Sequence, residues 1–285
     1  MEAVIEGRIS FEQIANNYPA APDVDFDDIM VNDVSCRWVK PDDAIENEVL
    51  VYIHGGAFIY GSLKSHTAMV THIAGALKRR ILMIEYRLAP EHPYPAGLND
   101  CVGVITKFFA ANSGIEFGIM GDSAGGGLTI ATQIQLRDQG GPMPRYSIVV
   151  SPWVDLTCVN ESYNINKSED SILTREFLQW AAGLYAGNSN ILVGLLSPVK
   201  ANLTNLPSTL IVYGTAEILA DDSIHLHRQL VEAGVDAELT SFDDEQHVWP
   251  FTDIHSTASQ KVLEQFATFA NKHNVSAMGI LVMRS

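Results

Sequence analysis

Apolar residues follow two alternating rhythms along most of this chain. Short β-rich runs at Glu48–Ile53, Arg80–Glu85, Ile115–Met120 and Tyr146–Val150 read as strands. Between them, Ser65–Arg79, Leu98–Ala110 and Ala124–Arg137 space their apolar residues three and four apart and read as helices. After Pro152 the rhythm breaks. Val154–Leu206 is rich in Asn and Ser and holds one helix-like piece, Thr174–Leu184. The alternation then returns, with strands at Leu210–Tyr213 and Ala237–Phe242 and helices at Asp221–Val231 and Ser256–Ala270. The last helix puts Val262, Leu263, Phe266, Phe269 and Ala270 on one face. The first 30 or so residues read as one helix around Phe11–Asn17, then a loop. Repeated strand–helix units predict an α/β fold with a mostly parallel sheet and helices on both faces. The interruption predicts an insertion over the strand ends, where ligands sit in open α/β sheets.

Composition narrows the function classes. The 285 residues are 47% hydrophobic and 18% charged, an ordinary globular balance that can fill a core. We read residues 1–285 as a single domain. The net charge of −16 repels phosphate backbones and anionic membrane surfaces, so neither a nucleic acid nor a membrane is an expected partner. Three cysteines, Cys36, Cys101 and Cys158, make neither a disulfide framework nor a metal motif. No stretch is apolar enough to span a membrane, and Met1–Glu6 lacks the features of a secretory signal. A cytoplasmic location is expected.

The chemistry concentrates in loops after strands. Gly121-Asp122-Ser123-Ala124-Gly125 follows an apolar strand and opens a helix. That is the context a G-x-S-x-G nucleophile elbow requires: the sharp turn thrusts the Ser hydroxyl into a cleft at a helix N-terminus. A phosphate cradle is the competing reading, but neither G-x-x-x-x-G-K-[ST] nor G-x-G-x-x-G occurs. His54-Gly55-Gly56-Ala57-Phe58 ends an early strand and matches the HGGG-type oxyanion loop, with Ala57 in place of the third Gly. Gly55, Gly56, Ala57 and Ala124 form the expected oxyanion hole. The amides of Gly56, Ala57 and Ala124 are the donors, and Gly55 shapes the turn. His54 reads as structural.

A nucleophilic Ser needs a base, and the base needs an orienting acid. His247 lies between the strand Ala237–Phe242 and the last helix, where a loop can reach the elbow. His225 and His227 fall inside a helix, and His255 and His273 flank the last one. His247 is therefore the expected base. Glu217 is the first carboxylate past the strand Leu210–Tyr213 and is the expected acid. Asp221 reads as a helix cap, and Asp221 or Asp222 stays open as the alternative acid. Phe58, Tyr60, Trp153 and Tyr185 are the candidate substrate-binding aromatics.

Together, His54-Gly55-Gly56, Gly121-Asp122-Ser123-Ala124-Gly125-Gly126 and Tyr86-Arg87-Leu88-Ala89-Pro90-Glu91-His92-Pro93-Tyr94-Pro95-Ala96 resemble the hormone-sensitive-lipase-like carboxylesterases over about residues 48–270. The resemblance implies an α/β-hydrolase fold with a small helical cap, here built from about 1–30 and 155–205. It implies a triad of Ser123, Glu217 and His247, with Glu where most members carry Asp. It implies a serine carboxylesterase acting on short-chain acyl esters through an acyl-enzyme, with no metal and no organic cofactor. A lactonase or a deacetylase with the same triad, or a non-catalytic receptor on the same scaffold, are the alternatives. The apolar tail Val275–Ser285 leaves two readings open, a homodimer contact or extraneous sequence.

Overall fold

In the computed structural model, which describes residues 1–273, eight strands form one sheet in the order β1-β2-β4-β3-β5-β6-β7-β8. They are β1 Val24–Val31, β2 Val34–Pro41, β3 Glu48–Ile53, β4 Arg80–Ile84, β5 Glu116–Asp122, β6 Tyr146–Val150, β7 Ser208–Gly214 and β8 Ala237–Phe242. From β4 to β8 every neighbouring pair is parallel, and β1–β2 and β2–β4 are antiparallel. The α/β expectation holds. Strands β3, β6 and β8 have the bounds that the apolar runs predict.

Both faces of the sheet are covered, as unbroken apolar strands require. On one face, α2 (Leu63–Leu77) and α9 (Thr257–Lys272) bury Ile73, Leu77, Val262 and Phe266 against Leu50, Tyr52 and Ile148. On the other, α3 (Ala96–Ala111) and α4 (Ser123–Gln139) pack Leu98, Ile105 and Leu128 against Val51, Ile53 and Ile119. The helix α7 (Ala220–Glu232) covers β7 and β8 with Leu226 and Leu230. A single turn, α8 (Trp249–Thr252), comes between β8 and α9. In the insertion after β6, α5 (Ser162–Ile165) and α6 (Arg175–Ala186) are joined by irregular chain. Thr174 caps α6 by accepting the Phe177 amide at 3.2 Å.

The N-terminal expectation needs correction. The helix α1 is Glu2–Phe11, and Glu12–Asn16 is only a 3-10 turn. Beyond it the chain forms the β1–β2 hairpin where a loop was expected. The hairpin's turn residues Asn32 and Asp33 have φ of 51° and 60°, a left-handed pair that suits a two-residue connection. The acid-rich β1 is an edge strand with four of its eight positions in a row exposed, so it lacks the apolar run of the central strands. The apolar tail lies outside the described residues. Among those residues, no helix is long and apolar enough to cross a membrane.

Candidate active site

Parallel strands send their C-terminal ends to the same edge of the sheet, and four of those ends carry the candidate residues. Ile53 of β3 pairs with Gly121 of β5, so the His54 loop and the Ser123 turn leave the sheet side by side. Gly214 of β7 pairs with Phe242 of β8, so the Glu217 and His247 loops do the same.

Ser123 sits at φ 53°, in the left-handed region that a non-glycine residue occupies only under constraint. It is 8% exposed and opens α4. The turn demands small neighbours. A Cβ on Gly125 would overlap the carbonyl oxygens of Ile53 and His54. Gly125→Ala is therefore expected to cost about 3 kcal/mol of stability, the upper range of overpacking, because rigid backbone is what must yield. Denaturant unfolding of the two proteins measures this.

The two loops from β7 and β8 are fastened to each other. Thr215 and Ala216 donate to the carbonyls of Phe242 and Glu245, at 3.0 and 3.1 Å. Gly214 faces the Glu245 carbonyl at a distance that leaves no room for a Cβ. The outcome is a continuous chain of hydrogen bonds. His247 Nδ1 lies 2.8 Å from Glu217 Oε2, and His247 Nε2 lies 2.8 Å from Ser123 Oγ. A carboxylate only accepts, so Nδ1 carries the proton and Nε2 accepts the Ser123 hydroxyl. Glu217 is wholly buried and His247 is 7% exposed. Burial pushes the imidazole pKa down, but the hydrogen bond and charge of Glu217 outweigh it and raise it above the ordinary value.

The alternative acids are engaged elsewhere. Asp221 accepts the Ser162 amide, and Asp222 accepts the amides of Val154 and Asp155 and the Asn160 side chain. Asp221 does not cap α7, which has no side-chain cap. His225 and His227 lie on α7, as expected.

The Gly55 amide donates to Asp122 Oδ1 at 3.0 Å, so it is not a free donor toward the cavity. The amides of Gly56 and Ala57 meet no acceptor among the described residues. Ala124 is in the first turn of α4, where amides lack intrahelical acceptors. His54 is buried, and its Nδ1 lies 2.8 Å from the Gly55 carbonyl. Burial, and then the nearby His66, push its pKa down to about 3. It is a neutral ring that donates to its own loop and stacks on Tyr86.

A cavity of about 340 Å³ opens over Ser123 and His247. The insertion contributes Ile172, Leu173, Phe177 and Leu178, and the N-terminal segment contributes Phe11 and Ile14. Of the four aromatics singled out in the sequence, Tyr60 lines this cavity. Phe58, Trp153 and Tyr185 do not: they belong to the core behind it. Phe58 stacks on Tyr185 at 3.8 Å and 6° and packs on Trp153 at 5.6 Å, so these rings use their faces on one another. Phe177 and Leu178 were within reach of the sequence, on a helix that it predicts. Phe11 also lies on a predicted helix, whereas Phe251 carried no such signal.

A family profile described as alpha/beta hydrolase fold matches residues 50–251, most of the chain. The chain is 31% identical over 264 residues to an esterase of Acinetobacter venetianus, covering 91% of this chain and 86% of that one. A solved esterase of the bacterial hormone-sensitive lipase family superposes with a TM-score of 0.92 at 33% identity, over 95% of this chain and 91% of that one. The chain belongs to the hormone-sensitive-lipase-like family of α/β-hydrolases. As a member of this family it is a carboxylic ester hydrolase. It is also 32% identical over 226 residues to an acetyl-hydrolase of Streptomyces hygroscopicus, covering 78% of this chain and 75% of that one. The structure of EstE5 soaked with p-nitrophenyl butyrate matches with a TM-score of 0.89 at 33% identity, over 95% of this chain and 91% of that one.

Proposed function

We propose that this family member is a serine carboxylesterase for neutral, short-chain acyl esters, with Ser123 as nucleophile, His247 as base and Glu217 as the orienting acid. The observation that carries the reading is the pair of 2.8 Å contacts joining these side chains at the floor of one cavity. Ser123 Oγ attacks the ester carbonyl as its proton passes to His247 Nε2. Glu217 holds the imidazolium that forms. The amides of Gly56, Ala57 and Ala124 take the negative charge of the tetrahedral intermediate. His247 then protonates the leaving alkoxide, and a water, activated by the same ring, cleaves the acyl-enzyme.

The cap is the N-terminal segment with the insertion after β6, which together supply Phe11, Ile14, Ile172, Leu173, Phe177 and Leu178. Among the described residues the lining contains no Lys or Arg, which favours uncharged substrates. Its volume is at the small end of ligand cavities, which favours short acyl chains. Soaking of EstE5 with a butyrate ester and the acetyl-hydrolase relative support the same direction. The cysteines are unpaired and buried, in keeping with a cytoplasmic site. A homodimer remains part of the reading.

Nitrophenyl esters from acetyl to palmitoyl test the substrate class. The expected result is a kcat/KM maximum between acetyl and hexanoyl and a fall of about tenfold or more by palmitoyl, the scale on which a hydrophobic pocket discriminates chain length. A maximum at palmitoyl would overturn the short-chain reading.

A further inference from the structure

Behind the reacting atoms lies a second imidazole–carboxylate pair. Asp122, the residue before the nucleophile, is 3% exposed. Its Oδ1 accepts the Gly55 amide at 3.0 Å and the Tyr52 hydroxyl at 2.6 Å. One carboxylate thus ties the elbow to the loop whose next two amides are those of Gly56 and Ala57. Its other oxygen, Oδ2, faces Nε2 of His66 at 3.5 Å. His66 is fully buried on α2, with Nδ1 2.9 Å from Ser65 Oγ. Its ring stacks on Phe251, a cavity wall residue, at 4.4 Å and 20°, and packs on His54 at 5.2 Å.

Burial pushes the Asp122 carboxyl up, but the neighbouring His66 ring and the Tyr52 hydroxyl outweigh it and hold it below the usual carboxylate range. Nε2 of His66 is buried, makes no hydrogen bond among the described residues and faces Oδ2; an ionised carboxylate only accepts, so a proton on Nε2 is the arrangement that favours this contact. A buried charge without such a partner is costly, and the neighbouring groups shift to satisfy it. His54 does not share the task, because its Nδ1 serves the Gly55 carbonyl.

We propose that His66 is a positioning residue for the oxyanion loop: by fixing Asp122 Oδ2 it sets the Gly55 amide, and through it the aim of the Gly56 and Ala57 amides. It touches no reacting atom. The proposal rests on the serine-hydrolase reading above.

Two substitutions separate the proton donor from the ring. His66→Phe keeps a ring against Phe251 and removes the donor. His66→Gln keeps an N–H donor and removes the ring. His66→Phe is expected to lower kcat on a nitrophenyl butyrate by about 10²-fold, the scale of a lost oxyanion donor, with KM within about threefold. The inhibition constant of a trifluoromethyl ketone, whose adduct oxyanion needs the same amides, should rise in parallel. His66→Gln should recover about tenfold or more of the lost kcat, since it again offers Oδ2 an N–H donor. Wild-type kcat and inhibition by His66→Phe, or a Gln variant no better than Phe, would overturn the role. Turnover by Ser123→Ala at the wild-type rate would instead sink the hydrolase reading beneath it. Should His66→Phe alone not fold, the Asp122→Asn background, which orphans no charge, decides the matter. There the same substitution must add less than about threefold, as coupled sites require, and a full independent loss overturns the proposal.

Discussion

Ser123→Ala is expected to lower kcat on short nitrophenyl esters by about 10⁵-fold while the protein stays folded. The loss is large because, among the described residues, no other hydroxyl contacts His247 Nε2. It is not total, because the amides of Gly56, Ala57 and Ala124 remain to polarise a bound carbonyl toward water. The fold is spared because, among the described residues, the hydroxyl bonds only to His247. Single-turnover kinetics with protein quantified by absorbance measure the rate. Mass spectrometry after a fluorophosphonate supplies an independent readout: the wild type gains the label on Ser123 and the variant gains none. Residual turnover within tenfold of wild type would mean that another residue carries the chemistry.

Glu217→Gln should lower kcat by about 10³–10⁴-fold, since it removes both the tautomer control and the charge that steadies the imidazolium. It also changes the pH profile in a direction fixed by the environment of His247. In the proposed mechanism the free imidazole is the base, so activity should rise with pH through its titration. In the wild type burial pushes that titration down and Glu217 more than compensates, so the acid limb of kcat/KM lies above the ordinary histidine value of 6.5. With the charge gone, burial wins and the limb moves to lower pH. Glu217→Asp retains the charge and should keep the limb high while losing rate to the shorter reach. An acid limb that stays put in the Gln variant would assign the raised imidazole to some other group.

The fold and the chemical groups were legible in the sequence for different reasons. Central strands such as β3 and β6 are buried on both faces, so burial writes an unbroken apolar run into them. Ser123 and Gly125 are legible because the strand–turn–helix tolerates few residue types. His247 and Glu217 are legible only by position, as residues in loops that must converge at one sheet edge. The acid-rich β1 had a sequence signal in Asn32-Asp33, but not one of burial. The pocket aromatics were the hardest to place. An aromatic beside a motif can face the cavity, as Tyr60 does, or turn into the core, as Phe58 does, and the local turn of the chain decides which. The Gly55 amide was illegible for a related reason: its acceptor, Asp122, is 67 residues away in the chain.

The loop that carries Glu217 takes much of its support from the insertion. Ser162 donates its hydroxyl to the Ile218 carbonyl, Asn166 donates to the carbonyls of Thr215 and Glu217, and Asp170 accepts the Ile218 amide. The same Asp170 takes the amides of Ile172 and Leu173, two wall residues of the cavity. Substrate selection and the seating of the acid are therefore inherited together. In this chain, a crossover that imports a foreign insertion without residues 214–222 would bring a new pocket and leave the Glu217 loop without these supports. Changes of specificity by exchange of this segment must move the two stretches as one block, while single changes at Phe177 or Leu178 stay free to drift.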